Sequence, residues 1–181
     1  MPKQTYAANS GQLIDHVVHD IRTDRTAVKA WLDSHSIDNF RIASDGIVNV
    51  NGPVTIKQYR TWNLPLQFGE VRGRFNFFRG SSVVTFEGFP HTVRGMVDLS
   101  TSEIKCLHGI DKIMKRVDGT FATTYKATHL LGLLLIEGII KIDIDDGGQI
   151  DAILNKYVGT GDIISAQDEL LDAGFKDQAR L

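Results

Sequence analysis

An internal repeat in the middle of the chain constrains its fold more than any other feature of the sequence. The segment Val71–Gly73 returns 22 residues later as Val93–Gly95, with the same three residue types. Later apolar positions return after 21 or 22 residues: Phe75 and Phe77 as Val97 and Leu99, Val83 as Ile104, Phe86 as Leu107, and Phe89 as Ile110. One such segment is too short to bury its apolar side alone, so successive copies must stack on one another.

Two weaker copies follow, and together the four copies predict the class of fold. The third copy has matching positions at Ile113, Val117, Phe121, Leu130, Gly132 and Leu133, and the fourth has alternating isoleucines at Ile140, Ile142 and Ile144. The register of the third copy, between Lys112 and Leu133, stays open. A repeat of roughly 20 to 29 residues with this spacing is typical of leucine-rich repeats. We therefore predict an α/β repeat fold, a short leucine-rich-repeat-like solenoid of parallel strands.

Both ends of the chain have helical patterns. Residues Leu13 to Leu32 place apolar side chains at helical spacing, and Ser10 and Asp24 are suitable N-caps. Residues 151–157 and 165–173 repeat this spacing, and Gly174 suits a helix end. We predict one compact unit with an N-terminal helical cap (1–40), a solenoid (41–148) and a C-terminal helical cap (149–181), because the end turns of a solenoid need covering.

The cysteine content and the apolar segments of the sequence indicate the cellular compartment. The single cysteine, Cys106, excludes a disulfide framework and is expected to fill space inside a repeat. The first residues lack the apolar segment of a signal peptide, and the longest apolar stretch, Leu130–Ile140, is short and contains Glu137. These features predict a cytoplasmic protein without a membrane span.

The sequence has no recognisable catalytic or metal-binding motif. It lacks a phosphate-binding glycine loop and the nucleophile motif of hydrolases. His16 and His19 lack an identifiable third ligand, and 143–148 departs from the order of ligands in a calcium loop, which favours a strand end and a turn. His108 and His129 occupy positions one repeat apart. We predict no enzyme activity, no catalytic residue, no metal and no cofactor.

A known family shares several of these motifs. The residues that match the motifs of this family are Trp31–Asp33, Asp45–Gly46, Val48, Val50, Gly52, Val54, Leu64–Pro65, Phe68–Gly69, Val71, Gly73, Phe75, Glu87–Pro90, Val93 and Gly95. In this order they resemble short leucine-rich-repeat-like proteins of large tailed bacteriophages. The resemblance weakens from Lys112 to Leu133. It implies a phage-encoded recognition scaffold, acting in the host cytoplasm, with no catalytic residues to transfer.

Arginines at equivalent repeat positions mark the predicted binding surface. Arg72 and Arg94 share one position, and Lys115 or Arg116 is expected to follow in the third copy. Like charges stacked about 5 Å apart on parallel strands repel one another. Nearby acids or solvent would compensate this repulsion, or a partner would, and both explanations remain open. The predicted partner-binding residues, on the outward strand face, are Arg72, Arg74, Arg94, Met96 and Arg116.

The charge of the chain is divided along its length. Residues 52–130 contain 11 basic and 6 acidic residues, whereas residues 143–181 contain 3 basic and 9 acidic residues. Either the two parts attract each other or they meet different partners. We predict a non-catalytic protein-binding module that binds and modulates a host defence or regulatory protein. The alternatives are a self-associating virion component and a nucleic-acid-binding protein, the latter less favoured because Phe75 and Phe77 are needed in the core.

Overall fold

The computed structural model describes residues 20–57 and 59–181, and the fold is mixed α/β with a mostly parallel sheet and helices at both ends. The helices are α1 (Arg25–Ser34), α2 (Ile110–Ile113), α3 (Gln149–Tyr157), α4 (Ile163–Asp172) and a 3-10 helix, η1 (Leu130–Leu135). The strands are β1 (Phe40–Ile42), β2 (Val48–Val50), β3 (Val54–Ile56), β4 (Arg60–Thr61), β5 (Phe68–Val71), β6 (Phe75–Phe77), β7 (Ser82–Val83), β8 (Thr92–Val93), β9 (Val97–Asp98), β10 (Arg116–Thr124) and β11 (Glu137–Asp145).

The parallel strands form three rows. The first row is β2, β5, β8 and the beginning of β10, and the second row is β3, β6, β9 and the end of β10. A separate pair, β4 and β7, forms the third row. Val71 pairs with Val93, and Phe75 pairs with Val97, which is the spacing of the sequence repeat. Among the strands of the described residues, β1 alone runs antiparallel, to β2, at the beginning of the sheet.

Aromatic side chains fill the space between the rows. Val71, Phe75 and Phe77 are fully buried, as their alternation predicts. Phe89 packs its ring 5.2 Å from the ring of Phe75 and 5.0 Å from that of Phe77, between ring centroids. The strands are short, so this packing between rows, rather than long hydrogen-bond ladders, stabilises the arrangement.

Glycines form the corner between the first two rows. Gly73 follows β5 and Gly95 follows β8, while Gly119 lies within β10. A Cβ atom on Gly95 would lie 2.9 Å from the carbonyl oxygen of Gly73, and one on Gly119 would lie 2.8 Å from that of Gly95. Any side chain at these positions would push successive segments apart, which explains why the sequence repeats glycine there.

The helix α1 begins as the sequence predicts. Asp24 is its N-cap and accepts hydrogen bonds from the backbone N–H groups of Thr26 and Ala27, at 2.9 and 3.1 Å. Val28 and Leu32 are buried in the core. The predictions for Ser10, His16 and His19 concern residues outside the described part of the chain.

The C-terminal helices cover the last strand. The expected helices at 151–157 and 165–173 correspond to α3 and α4, and Gly174, at φ 89°, follows the end of α4. Asn155 of α3 reaches the outer edge of β11, where its Oδ1 accepts from the Ile142 N–H at 2.9 Å and its Nδ2 donates to the Ile142 carbonyl at 2.7 Å. The helix thus replaces the neighbouring strand that β11 lacks on this side.

The structure settles the register of the third copy, which the sequence left open, and corrects the alternation expected in the fourth. Val93 pairs with Val117, so the third copy is two residues longer than the spacing between Val71 and Val93. In β11 the prediction that Ile140 alternates inward with Ile142 and Ile144 was wrong, because Ile140 is 78% exposed whereas the other two are buried. A register shift beside Gly119 changes which side chains face inward.

Candidate interaction surface

The outward side of the first row bears six charged side chains that we call the charged ladder: Glu70, Arg72, Arg94, Arg116, Asp118 and Glu137. They belong to or directly follow strands β5, β8, β10 and β11. Val71 and Val117 each lie between two of these residues in sequence, Val93 directly precedes Arg94, and all three valines are fully buried. Because side chains alternate along a strand, burying the valines turns the charged residues outward.

Ion pairs link the ladder continuously from one end to the other. Arg94 lies at its centre, with its Nε 2.8 Å from Glu70 and its Nη1 2.7 Å from Asp118. Arg72 also pairs with Glu70, at 3.1 Å. Arg116 pairs with Asp118 at 2.7 Å and with Glu137 at 3.5 Å. The repulsion expected between stacked arginines is therefore compensated by local acids.

The ion pairs shift the pKa values of the ladder. Hydrogen bonds from Arg94, and then from Arg72, lower the pKa of Glu70 below its ordinary value. The hydrogen bond from Arg94 is also the largest cause of the lowered pKa of Asp118. In return, Glu70 and Asp118 raise the pKa of the Arg94 guanidinium. All three groups are therefore charged at neutral pH, which keeps the alternation of sign fixed.

Of the five predicted partner-binding residues, three lie in the charged ladder and two lie outside it. Arg72, Arg94 and Arg116 come together in the ladder, but the expected equivalence of Arg116 with Arg94 was wrong. Arg116 pairs with Thr92, and the position next to Arg94 is taken by Asp118, because of the two additional residues in the third copy.

The other two predicted residues lie beyond the corner glycines. Arg74 is exposed, and among the described residues it has no ion-pair partner. Met96 is half-buried, and its carbonyl accepts a hydrogen bond from the Phe75 N–H at 2.9 Å. Sequence reasoning missed Asp118 and Glu137 as members of the ladder. The signal that could have identified Asp118 is the break in the repeat spacing where the third copy becomes longer.

We expect the ladder to contribute stability that disappears in acid. The pKa values of Glu70 and Asp118 are lower in the folded chain than in the unfolded chain. Their contribution is therefore present above about pH 4 and is lost as the pH falls through the folded values. Urea denaturation should show that Arg94→Met lowers the free energy of unfolding more at pH 7 than at pH 3.

Arg41→Met is the matched control for this measurement. Arg41 is exposed on β1 and, among the described residues, has no ion pair. Its replacement should have the same small effect at both pH values. An equal effect of Arg94→Met at pH 7 and pH 3 would contradict the role assigned to the ion pairs.

A second cluster surrounds the cysteine. Cys106 is exposed, so the expectation that it fills space inside the fold was wrong. Its Sγ lies 3.5 Å from Nδ1 of His129, whose ring centroid is 5.2 Å from that of His108. These two histidines, one repeat apart in sequence, are therefore neighbours in the fold. Partial burial, and then the proximity of His108, lower the pKa of His129 below its ordinary value, so its imidazole is neutral at pH 7.

Metal binding and membrane spanning find no support within residues 20–57 and 59–181. No group of three or more histidine, cysteine, aspartate or glutamate side chains in this part of the chain is placed to hold a metal ion. Residues 143–148 form the end of β11 and the turn into α3, as expected. None of the described helices is both long enough and apolar enough to cross a membrane.

Comparisons with known proteins add no relative. No protein-family model, no curated protein and no solved structure shows significant similarity to the chain.

Proposed function

We propose that the chain is a non-catalytic protein-binding module, a phage accessory protein that binds and modulates a host defence or regulatory protein in the host cytoplasm. The observation that carries this proposal is the charged ladder. Five ion pairs hold six charged side chains in a fixed order on one side of the sheet. A surface of this kind recognises a partner of complementary charge order, because arranged charges give specificity even where each pair contributes little affinity.

The finer fold proposed with this function is a short leucine-rich-repeat-like solenoid. Two observations support it: parallel pairs that join residues 21 to 24 positions apart, and glycines that recur at one corner. A stack of this kind presents outward side chains of successive turns as one continuous surface, which suits protein recognition.

Preorganisation of the arginines is the physical reason to favour a protein partner. Arg94 is held from two sides, so little side-chain freedom remains to be lost on binding. Arginine is also enriched among the residues that dominate protein interfaces. Arg72 and Arg74 add two further cations beside Arg94. Arg72 has one acidic partner, Glu70, and Arg74 has no ion-pair partner among the described residues.

The acidic end of the chain is separate from this surface. None of the ion pairs in the described part of the chain joins residues 52–130 to residues 143–181. The two parts are instead joined by hydrogen bonds, from the His129 and Leu130 N–H groups to the Asp177 and Gln178 carbonyls, both at 3.0 Å. Opposite charge is therefore not what holds them together, and the second explanation, two surfaces for different contacts, is favoured.

The test is affinity purification of the tagged chain from infected cells, followed by measurement of binding to the captured partner. We expect one host protein in stoichiometric amount. The double variant Arg72→Glu/Arg74→Glu should weaken its binding at least about tenfold, since like charges now face the partner's acidic groups. Lys176→Glu, an exposed reversal outside the ladder, should leave the affinity unchanged.

Two results would overturn the proposal. Binding that survives the double variant would remove the ladder from the interface. Capture of only the chain itself or of capsid and tail proteins, together with a stable oligomer in light scattering, would favour a virion component instead.

A further inference from the structure

A groove on the third row differs in chemistry from the charged ladder. It has a volume of about 750 Å³ and is lined by Lys57, Arg60, Phe78, Arg79, Gly80 and Glu103. It therefore brings together residues that follow β3 and β6 with the first residue of β4. The lining contains three basic side chains, one carboxylate and one aromatic ring.

The carboxylate in the groove is already occupied by one of the arginines. The Nη2 of Arg60 lies 2.5 Å from Glu103 Oε1, and the Nε of Arg60 donates to the Gly80 carbonyl at 3.0 Å. Lys57 and Arg79 are exposed, and within the described residues neither has an ion-pair partner. The groove thus has a positive charge that the surrounding described residues leave uncompensated, in contrast to the ladder.

Exposed aromatic rings accompany this charge. Phe78 is 46% exposed although its neighbour Phe77 is fully buried, and Trp62 is 39% exposed. Phe75 and Phe77 are buried as expected, so neither can stack on a base, but the ring of Phe78 is accessible.

We infer that this groove binds single-stranded nucleic acid, a ligand and a surface different from those of the proposed protein-binding function. Lys57 and Arg79 would bind phosphates, and the ring of Phe78 would stack on a base. Such pairing of cations with exposed rings is the usual way in which proteins hold single strands without reading their sequence. An acidic peptide would use the cations but would leave the ring of Phe78 in water.

The experiment is fluorescence anisotropy with a labelled oligo-dT of 20 nucleotides and the full chain. Binding should fall with a log–log salt slope of about −1.4, because two cations, Lys57 and Arg79, release about 0.7 counterion each from a single strand. Raising NaCl fourfold should then weaken binding about sevenfold. Lys57→Glu/Arg79→Glu should abolish measurable binding, and Phe78→Ala should weaken it about tenfold by removing one stacked base.

Controls separate this groove from the ladder and from general charge effects. Lys176→Glu reverses one exposed charge at a position far from the groove in sequence. It should weaken binding to oligo-dT less than twofold. Arg72→Glu/Arg74→Glu should leave oligo-dT binding largely intact. Unchanged thermal unfolding of each variant, expected because the substituted side chains are exposed, shows that a loss of binding is not a loss of folding.

Three outcomes would overturn the inference. The first is no binding of oligo-dT at 50 mM NaCl. The second is full binding of oligo-dT by the Phe78→Ala variant, together with competition by inorganic polyphosphate that is as effective as competition by unlabelled oligo-dT. The groove would then bind any polyanion, without base stacking. The third is a polyglutamate peptide that binds the groove as tightly as oligo-dT, which would indicate an acidic protein partner.

Discussion

Replacing Gly95 with alanine should destabilise the fold by about 2–3 kcal/mol, although it adds a single methyl group. The new Cβ would lie 2.9 Å from the carbonyl oxygen and 3.1 Å from the carbonyl carbon of Gly73. Both atoms are backbone, so no side chain can rotate away and two adjacent segments must separate. Thermal denaturation should show a midpoint lower by about 5–10 °C for a chain of this size.

Gly52 provides the matched control for this prediction. It lies at the beginning of the same corner, one segment before Gly73, but a Cβ there would meet no atom within 4 Å. Gly52→Ala should therefore change the free energy of unfolding by less than about 0.5 kcal/mol, or stabilise the chain slightly by restricting its unfolded state. Equal effects of the two substitutions would show that the corner does not depend on close backbone approach.

Replacing Asn155 with leucine should lower the free energy of unfolding by about 3 kcal/mol. The side chain of Asn155 satisfies both backbone groups of Ile142 and also donates to the Asp151 carbonyl at 2.8 Å. Ile142 is fully buried, so the substitution leaves its N–H and carbonyl without partners. Urea denaturation of the purified variant measures this loss.

The same substitution should make the chain self-associate. Without the Asn155 amide, α3 is held less firmly on β11, and each separation of α3 presents the unpaired backbone groups of Ile142 to another chain, with which an edge strand of this kind pairs readily. Light scattering should show concentration-dependent dimers or larger species for Asn155→Leu. Ala152→Leu, on an exposed position of the same helix, should alter neither stability nor association by a measurable amount. A fully stable, monomeric Asn155→Leu variant would contradict the role of α3 at the edge.

Local patterns predicted the elements of the fold well. Asp24 caps α1, and helices α3 and α4 lie where the spacing of apolar residues predicts them. The recurrence of Val-Arg-Gly after 22 residues predicted which residues lie side by side in β5 and β8. These predictions succeed because the alternation of a strand and the hydrogen bonds of a cap depend on a few neighbouring residues.

Predictions failed where an additional residue or a neighbouring element changed the register. The repeat pattern placed Arg116 next to Arg94, whereas the structure places Asp118 there. The isoleucine alternation placed Ile140 inside, whereas it is exposed in β11. In both cases the packing of distant segments, rather than the local pattern, determined where the register shifts.

The sequence by itself determined the inward and outward faces of the repeated strands, the glycine corner and the helical ends, because each follows from a short, regular spacing of residue types. The tertiary structure decided which charges meet and which rings are exposed. Arg94 meets Asp118, and Asn155 meets Ile142, only after segments far apart in sequence have packed together. Phe77 is buried and Phe78 exposed for the same reason: burial depends on the neighbours that packing supplies, and residue type alone cannot specify them.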